Sequence, residues 1–190
     1  MHLHISAQDK DGINLFGNDD GLTDDFRHFV GGLQRYLPEV APLFAPNVNS
    51  FRRMRPAHSA PINVQWGMDN RSCGLRIPVS NTGATRIENR LPGADANPYI
   101  AIAATLACGL LGLRGKIKPM PLITSNAYAQ ERTLPRSLDA ALKQMVACEP
   151  VIGILGESFI RAFARIKQAE LAAYDEVISS WERDHLLLKA

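Results

Sequence analysis

Acidic side chains are scarce in one stretch of this chain. Between Phe51 and Leu91 only Asp69 and Glu88 carry negative charge, whereas arginines stand at 52, 53, 55, 71, 76, 86 and 90. The chain as a whole shows no such excess. Its 21 Lys and Arg face 19 Asp and Glu, a formal net charge of +2, which argues against a polycation built for nucleic acid or a membrane surface. Cysteine is sparse too: Cys73, Cys108 and Cys148 are scattered without a C-x-x-C spacing, which argues against a disulfide scaffold and fits a reducing compartment. The most apolar run, 100–113, falls short of the ~20 residues that cross a bilayer, and the first residues lack the charged and apolar regions of a secretory leader. Phe51 and Trp66 are isolated rather than interleaved with the basic residues, so stacking platforms for bases are missing. A soluble, cytoplasmic chain that engages neither membrane nor nucleic acid is expected.

What is present suits one domain. At 190 residues and 46% hydrophobic content, the chain can bury an ordinary core. It opens on the alternating run His2-Leu3-His4-Ile5-Ser6, which reads as the middle of a strand in a larger fold, and 9–12 then reads as a hairpin turn. Thr23 caps a predicted helix over 23–37, with Phe26, Phe29, Val30, Leu33 and Leu37 at helical spacing. Pro42, Pro46 and Asn47 mark an irregular link into 49–53. Short strands are predicted at 62–66, 73–78 and 85–91. Helices are predicted at 99–113, where Gly109 and Gly112 allow close packing, at 137–148, and at 151–188 with a possible break near Gly153 and Gly156. The class is α+β, antiparallel strands followed by helices.

Two runs carry chemistry. Arg86, Glu88 and Arg90 stand at every second position, so a strand there lines up a cation, an anion and a cation on one face. A solvated face with weak ion pairs, each worth about 0–1 kcal/mol, would show the same pattern. His2, His4 and Ser6 alternate in the same way. A histidine pair at i and i+2 is more often structural than ligating; imidazoles as ligands suit zinc, whereas one imidazole with carboxylates makes an acceptable manganese or magnesium shell. Guanidinium groups at Arg71, Arg76, Arg86 and Arg90 supply bidentate donors to phosphate and carboxylate oxygens. A single Glu88 among them would hold a divalent cation that bridges phosphates, while the arginines neutralise charge that develops in transfer.

The succession Met1-His2-Leu3-His4-Ile5-Ser6, Asn49-Ser50-Phe51-Arg52-Arg53-Met54, Asn70-Arg71-Ser72 with Leu75-Arg76-Ile77-Pro78, Arg86-Ile87-Glu88-Asn89-Arg90-Leu91-Pro92 and Asn97-Pro98-Tyr99 resembles the glutamine synthetase family. The helical remainder, with Leu134-Pro135-Arg136-Ser137-Leu138 and Ser180-Trp181-Glu182, is similar as well. The resemblance implies the C-terminal portion of such a catalytic domain over 1–190, with ATP and Mg2+ (or Mn2+) as cofactors and a homo-oligomeric complete enzyme. His2 and Glu88 match metal ligands, His4 and Ser6 match ATP contacts, and Arg76 and Arg86 match nucleotide-binding arginines. Arg53 and Arg90 match binders of the glutamate carboxylate, and Arg71 matches the catalytic arginine between γ-phosphate and glutamate.

Two departures qualify this. The family's N-terminal domain and the glutamate-rich strands that supply most metal ligands are expected before Met1, so the chain alone is expected to be inactive. In the loop 55–61, Ser59 stands where glutamine synthetases carry a glutamate that helps bind and deprotonate ammonium, with His58 beside it as an alternative base. That loop resembles the γ-glutamylpolyamine and γ-glutamylmonoamide ligase branch. Ordinary ammonia-dependent glutamine synthetase, and a non-catalytic module for nucleotides or polyanions, are the alternatives.

Overall fold

The computed structural model of the chain describes residues 1–56 and 60–187. Strand β1 (Leu3–Ile5) and the two-residue strands β2 (Gly17–Asn18) and β3 (Gly21–Leu22) precede helix α1 (Asp24–Tyr36) and the short helix α2 (Val48–Arg53). Strands β4 (Trp66–Met68), β5 (Leu75–Ile77) and β6 (Ile87–Asn89) follow. The remainder is helical: α3 (Pro98–Gly115), α4 (Leu138–Ala147), α5 (Glu149–Leu155), α6 (Glu157–Asp175) and α7 (Ser180–Leu186).

Four strands form one sheet in the order β1-β6-β5-β4. β6 pairs antiparallel with both β1 and β5, setting His4 opposite Glu88 and Glu88 opposite Arg76. Because side chains alternate across a strand, these three share one face, and Ile87, Asn89, Leu75 and Ile77 share the other. The second face is the buried one. Ile87, Leu75 and Ile77 are core residues, and Asn89 donates its amide to the Thr105 hydroxyl on α3 at 3.0 Å. The core continues through Phe16, Phe26, Phe29 and Trp66, whose rings meet at centroid distances of 5.5, 5.1 and 6.1 Å along the pairs 16–26, 16–29 and 26–66.

Helix α1 starts where Thr23 accepts the Phe26 amide, as the cap pattern predicts. It packs on α3 by close approach of glycines: a Cβ on Gly32 would collide with the Cys108 carbonyl, and one on Gly112 with the His28 carbonyl. Helix α3 is longer than predicted, because Asn97 caps it with Pro98 in its first turn and it runs on until Lys116 takes a left-handed conformation, φ 47°. Its 18 residues, mean hydropathy 1.4, reach the length and composition of a membrane-crossing helix. In this fold the face carrying Ala101, Ala104, Cys108 and Gly112 is buried in the core.

Three predicted features differ. The strand expected at 62–66 lies at Trp66–Met68, since Asn63 is drawn out of the sheet to the Ala127 carbonyl at 2.8 Å. β4 also joins β5 parallel rather than antiparallel, the chain doubling back over 69–74 from Asp69, which has φ 46°. The link into 49–53 is helical, capped reciprocally by Asn47 and Ser50. The break in the predicted helix 151–188 occurs at Gly156, φ 92°, and a second falls between Asp175 and Ser180. All three cysteines are buried, and burial pushes the Cys73 thiol up to about 11, which removes it as a nucleophile.

Candidate active site

Glu88 is where the charged face converges. Its side chain is only 3% exposed, yet it touches four basic groups: Arg76 Nη1 at 2.7 Å, His2 Nδ1 at 2.7 Å, Arg90 Nη1 at 3.1 Å and His4 Nε2 at 4.0 Å. The solvated-face reading of Arg86, Glu88 and Arg90 is therefore wrong for Glu88 and Arg90. Burial alone would push the Glu88 carboxyl up, but the Arg76 hydrogen bond and the charges of Arg90 and His2 hold it below the usual carboxylate range. His2 is moved down, by burial first and Arg90 next, with Glu88 opposing, so it favours the neutral imidazole that ligates metals.

These residues floor an open cleft of about 560 Å³ lined by His2, Arg71, Ser72, Arg76, Glu88, Arg90 and Tyr128. The turn Asn70-Arg71-Ser72 is held by side-chain bonds: the Asn70 carbonyl oxygen accepts from the Ser72 amide at 3.1 Å and hydroxyl at 2.6 Å, and the Asn70 amide donates to the Ser125 carbonyl at 2.8 Å. Ser72 Oγ in turn accepts the Ala127 amide at 2.8 Å. This clamp brings the 3-10 turn Ala127–Ala129 over the cleft and sets Tyr128 beside exposed Arg71. Asp69 completes the arrangement by pairing with Arg76 from the side away from Glu88.

Of the predicted site residues, the cleft gathers His2, Arg71, Arg76, Glu88 and Arg90. His4 stands at its edge through Glu88, and exposed Ser6 is beyond it on the β1 side. Arg86 does not line the cleft: its guanidinium donates to the Ala84 carbonyl at 3.1 Å. Arg53 lies apart as well, donating to the Leu91 carbonyl at 2.6 Å, with its Nε buried and without a hydrogen-bond partner among the described residues. Ser59 and His58 lie outside the described residues. Sequence reasoning missed Tyr128, Ser72 and Asp69. Asp69 was visible as one of two acids among seven arginines; Tyr128 reaches the cleft only through the Ser72 clamp, which no local pattern signals.

As a metal site the donor set is half a shell. Among the described residues no group of three or more His, Cys, Asp and Glu side chains is placed to hold a metal ion. His2 Nδ1 and Glu88 Oε1 nevertheless approach to 2.7 Å, and magnesium takes one or two carboxylates with water and substrate phosphates completing its octahedron. The residues fit a divalent ion whose remaining ligands come from elsewhere.

The description "Glutamine synthetase, catalytic domain" matches residues 1–186. The chain belongs to the glutamine synthetase family. It is 39% identical over 189 residues to a glutamine synthetase of Thermococcus kodakarensis, covering 95% of this chain and 42% of that protein. It is 35% identical over 182 residues to the γ-glutamylethanolamide synthetase GlnA4 of Streptomyces coelicolor, covering 95% of this chain and 39% of that protein. A solved structure titled as a GmaS/ADP complex superposes with a TM-score of 0.88 at 33% identity, covering 98% of this chain and 45% of that one. The chain thus spans about two fifths of the length of the curated relatives it matches. Within the glutamine synthetase family, its α+β architecture, with a sheet before the helices, is the expected one.

Proposed function

We propose that this chain serves ATP-dependent ligation of the glutamate γ-carboxylate to an amine. The observation that carries the reading is the buried Glu88 ringed by His2, Arg76 and Arg90 on the floor of a cleft that Arg71 overhangs. In the first half-reaction a carboxylate oxygen of glutamate takes the γ-phosphoryl group from ATP, releasing ADP and leaving γ-glutamyl phosphate. In the second, the amine nitrogen attacks the acyl carbon, phosphate leaves with the C–O bonding pair, and the nitrogen loses a proton to give the amide. Arg71 is assigned to the γ-phosphoryl oxygens, and Arg53 and Arg90 to the glutamate carboxylate. Arg76 and Arg86, with His4 and Ser6, are assigned to the nucleotide. His2 and Glu88 would hold a Mg2+ or Mn2+ ion, which when bound neutralises phosphate charge. The short set of ligands leads to the further proposal that the 190-residue chain is inactive alone. A cytoplasmic, homo-oligomeric enzyme is part of the reading; exposed Val177 and Ile178 between α6 and α7, with Trp181 on α7, support association.

For the acceptor, Ser59 supports an organic amine over ammonium. Ammonium must be held and deprotonated, which a carboxylate assists and a serine does not. An alkylamine can be held by apolar contact at ~0.8 kcal/mol per buried methylene. The name of the Streptomyces relative supports the same branch, whereas that of the Thermococcus relative supports ammonium. The test is phosphate release by a protein of the full family length with glutamate, ATP and magnesium. Ammonium, putrescine, spermidine, ethanolamine and a simple alkylamine are offered in turn. An organic amine is expected to give the highest kcat/KM. Ammonium as best acceptor returns the assignment to ordinary glutamine synthetase, and no stimulation by any amine refutes the ligase reading.

A further inference from the structure

A second basic pocket lies apart from the cleft just described. It encloses about 310 Å³ and is lined by Val48, Phe51, Arg52, Met54, Arg55, Arg132, Arg136 and Ser137, four arginines with no carboxylate among them. The nearest acids in sequence, Glu131 and Asp139, do not line the pocket, and Asp139 is paired with Lys143 at 2.7 Å. Among the described residues none of the four arginines has an ion pair. Arg52 donates to the Tyr174 hydroxyl at 2.9 Å and Arg132 to the Met54 carbonyl, which point those two side chains, while the guanidinium groups of Arg55 and Arg136 make no hydrogen bond among the described residues. Arg132 is half-buried, and burial together with neighbouring Arg136 disfavours its charge.

From this geometry we infer that the pocket is an oxyanion site for a phosphate dianion, free or as the terminal group of a small metabolite. Four guanidinium groups held together on a chain of net charge +2 repel one another until an anion neutralises them. A phosphate dianion brings nearly two charges and enough oxygens for several bidentate contacts, where a single carboxylate brings one charge. The N-terminus of α4, at Ser137, opens on the same pocket and adds its favourable dipole to the arginines. The site is independent of the proposed ligase chemistry. It does bear on it physically, because α2 carries Arg52 into this pocket and the adjacent Arg53 to the Leu91 carbonyl.

The test is calorimetric titration of the 190-residue chain with inorganic phosphate, and separately with methyl phosphate, at constant ionic strength in chloride. The comparison variants are Arg55→Gln/Arg136→Gln in the pocket and Arg71→Gln in the cleft. The Arg55 and Arg136 side chains make no hydrogen bond or ion pair among the described residues, so their replacement should not lower the phosphate-free melt and, by relieving repulsion, should raise it if anything; Arg136→Gln alone serves as a second, milder variant. Saturable binding is expected that weakens about tenfold or more in the double variant, measurably in Arg136→Gln, and survives in Arg71→Gln. Whichever of the two phosphates binds more tightly identifies the free or the esterified form as the ligand type. Absence of saturable binding to the unaltered chain, or equal affinity in the pocket double variant, overturns the proposal.

Discussion

Replacing Glu88 by glutamine isolates what the charged hub does for the fold. From the sequence alone the residue could be a metal ligand whose loss leaves the fold intact. Its burial makes it a structural centre too. The carboxylate lies between Arg76, at 16% exposure, and Arg90, at 7%, with His2 at 40%. Glutamine keeps one acceptor oxygen but no charge. Arg76 retains Asp69 and His2 is partly open to solvent, so the largest single loss is the charge pairing between Glu88 and Arg90, whose side chains are 3% and 7% exposed. Removing one partner of a buried ion pair costs ~3–5 kcal/mol, and the lower end applies here because one hydrogen bond survives. For a chain of this size ~3 kcal/mol lowers Tm by roughly 6–12 °C. Thermal unfolding followed by circular dichroism reads this directly. Glu88→Gln/Arg90→Gln should lose less than the sum of the two single variants, because both single changes break the same buried pair. A Tm for Glu88→Gln within ~1 °C of the unaltered chain would mean that these contacts behave as open-surface ion pairs, and the account of a buried hub would fail.

Other outcomes follow from separate features. Asp95 accepts hydrogen bonds from Ser50 at 2.5 Å and Asn47 at 3.1 Å; burial opposes its charge, but these bonds and Arg53 hold its carboxyl below the usual value. A depressed folded-state value contributes stability above the unfolded value that is lost as pH falls, so the Tm gap between the chain and Asp95→Asn should be widest near neutral pH and close on acidification below about pH 4. Glycine replacements should have opposite signs at two helical positions. Gly112→Ala forces a Cβ against the His28 carbonyl and should lower Tm, since overpacking against backbone costs ~1–3 kcal/mol and exceeds the helix-propensity gain. Gly153→Ala in α5 meets nothing within 4 Å and should raise stability by up to ~1 kcal/mol.

How far the sequence carried the structure depends on how local each cause was. Helices α1 and α3 were legible because their signals, the Thr23 cap with its apolar spacing and the apolar run 100–113, lie within or beside the elements themselves. The sharing of one face by Glu88 and Arg90 was legible because alternation is a property of any strand. The strand expected at 62–66 was misplaced because Asn63 is drawn off by the Ala127 carbonyl, a partner 64 residues away. Tyr128 and Asp69 were missed for a related reason. Their place in the cleft is set by long-range clamps and by a left-handed residue, neither of which leaves a periodic trace. Arg86 shows the converse error. Strand alternation put it with Glu88 and Arg90, but it precedes β6, where the chain is no longer paired, and its guanidinium turns back to Ala84.

The ion pairs around Glu88 also constrain how the proposed chemistry can proceed. Oε1 already accepts from His2 and Arg90, and Oε2 from Arg76, so a divalent ion at His2 and Glu88 competes with two arginines for the same oxygens. Magnesium dehydrates reluctantly and gains little from two protein ligands, so in this competition the bare ion loses. Nucleotide phosphates change the balance on both sides at once. On the proposed assignments they would complete the ligands of the ion and offer Arg76 an anion to replace Glu88, while the glutamate carboxylate would do so for Arg90. On the proposed reading the arrangement would favour joint arrival of metal and nucleotide over stepwise loading. Under the same assignments a carboxylate can be buried here among cations without being committed to any one of them, because three of its partners would have an alternative: Asp69 or a phosphate for Arg76, substrate oxygens for Arg90, and the ion for His2.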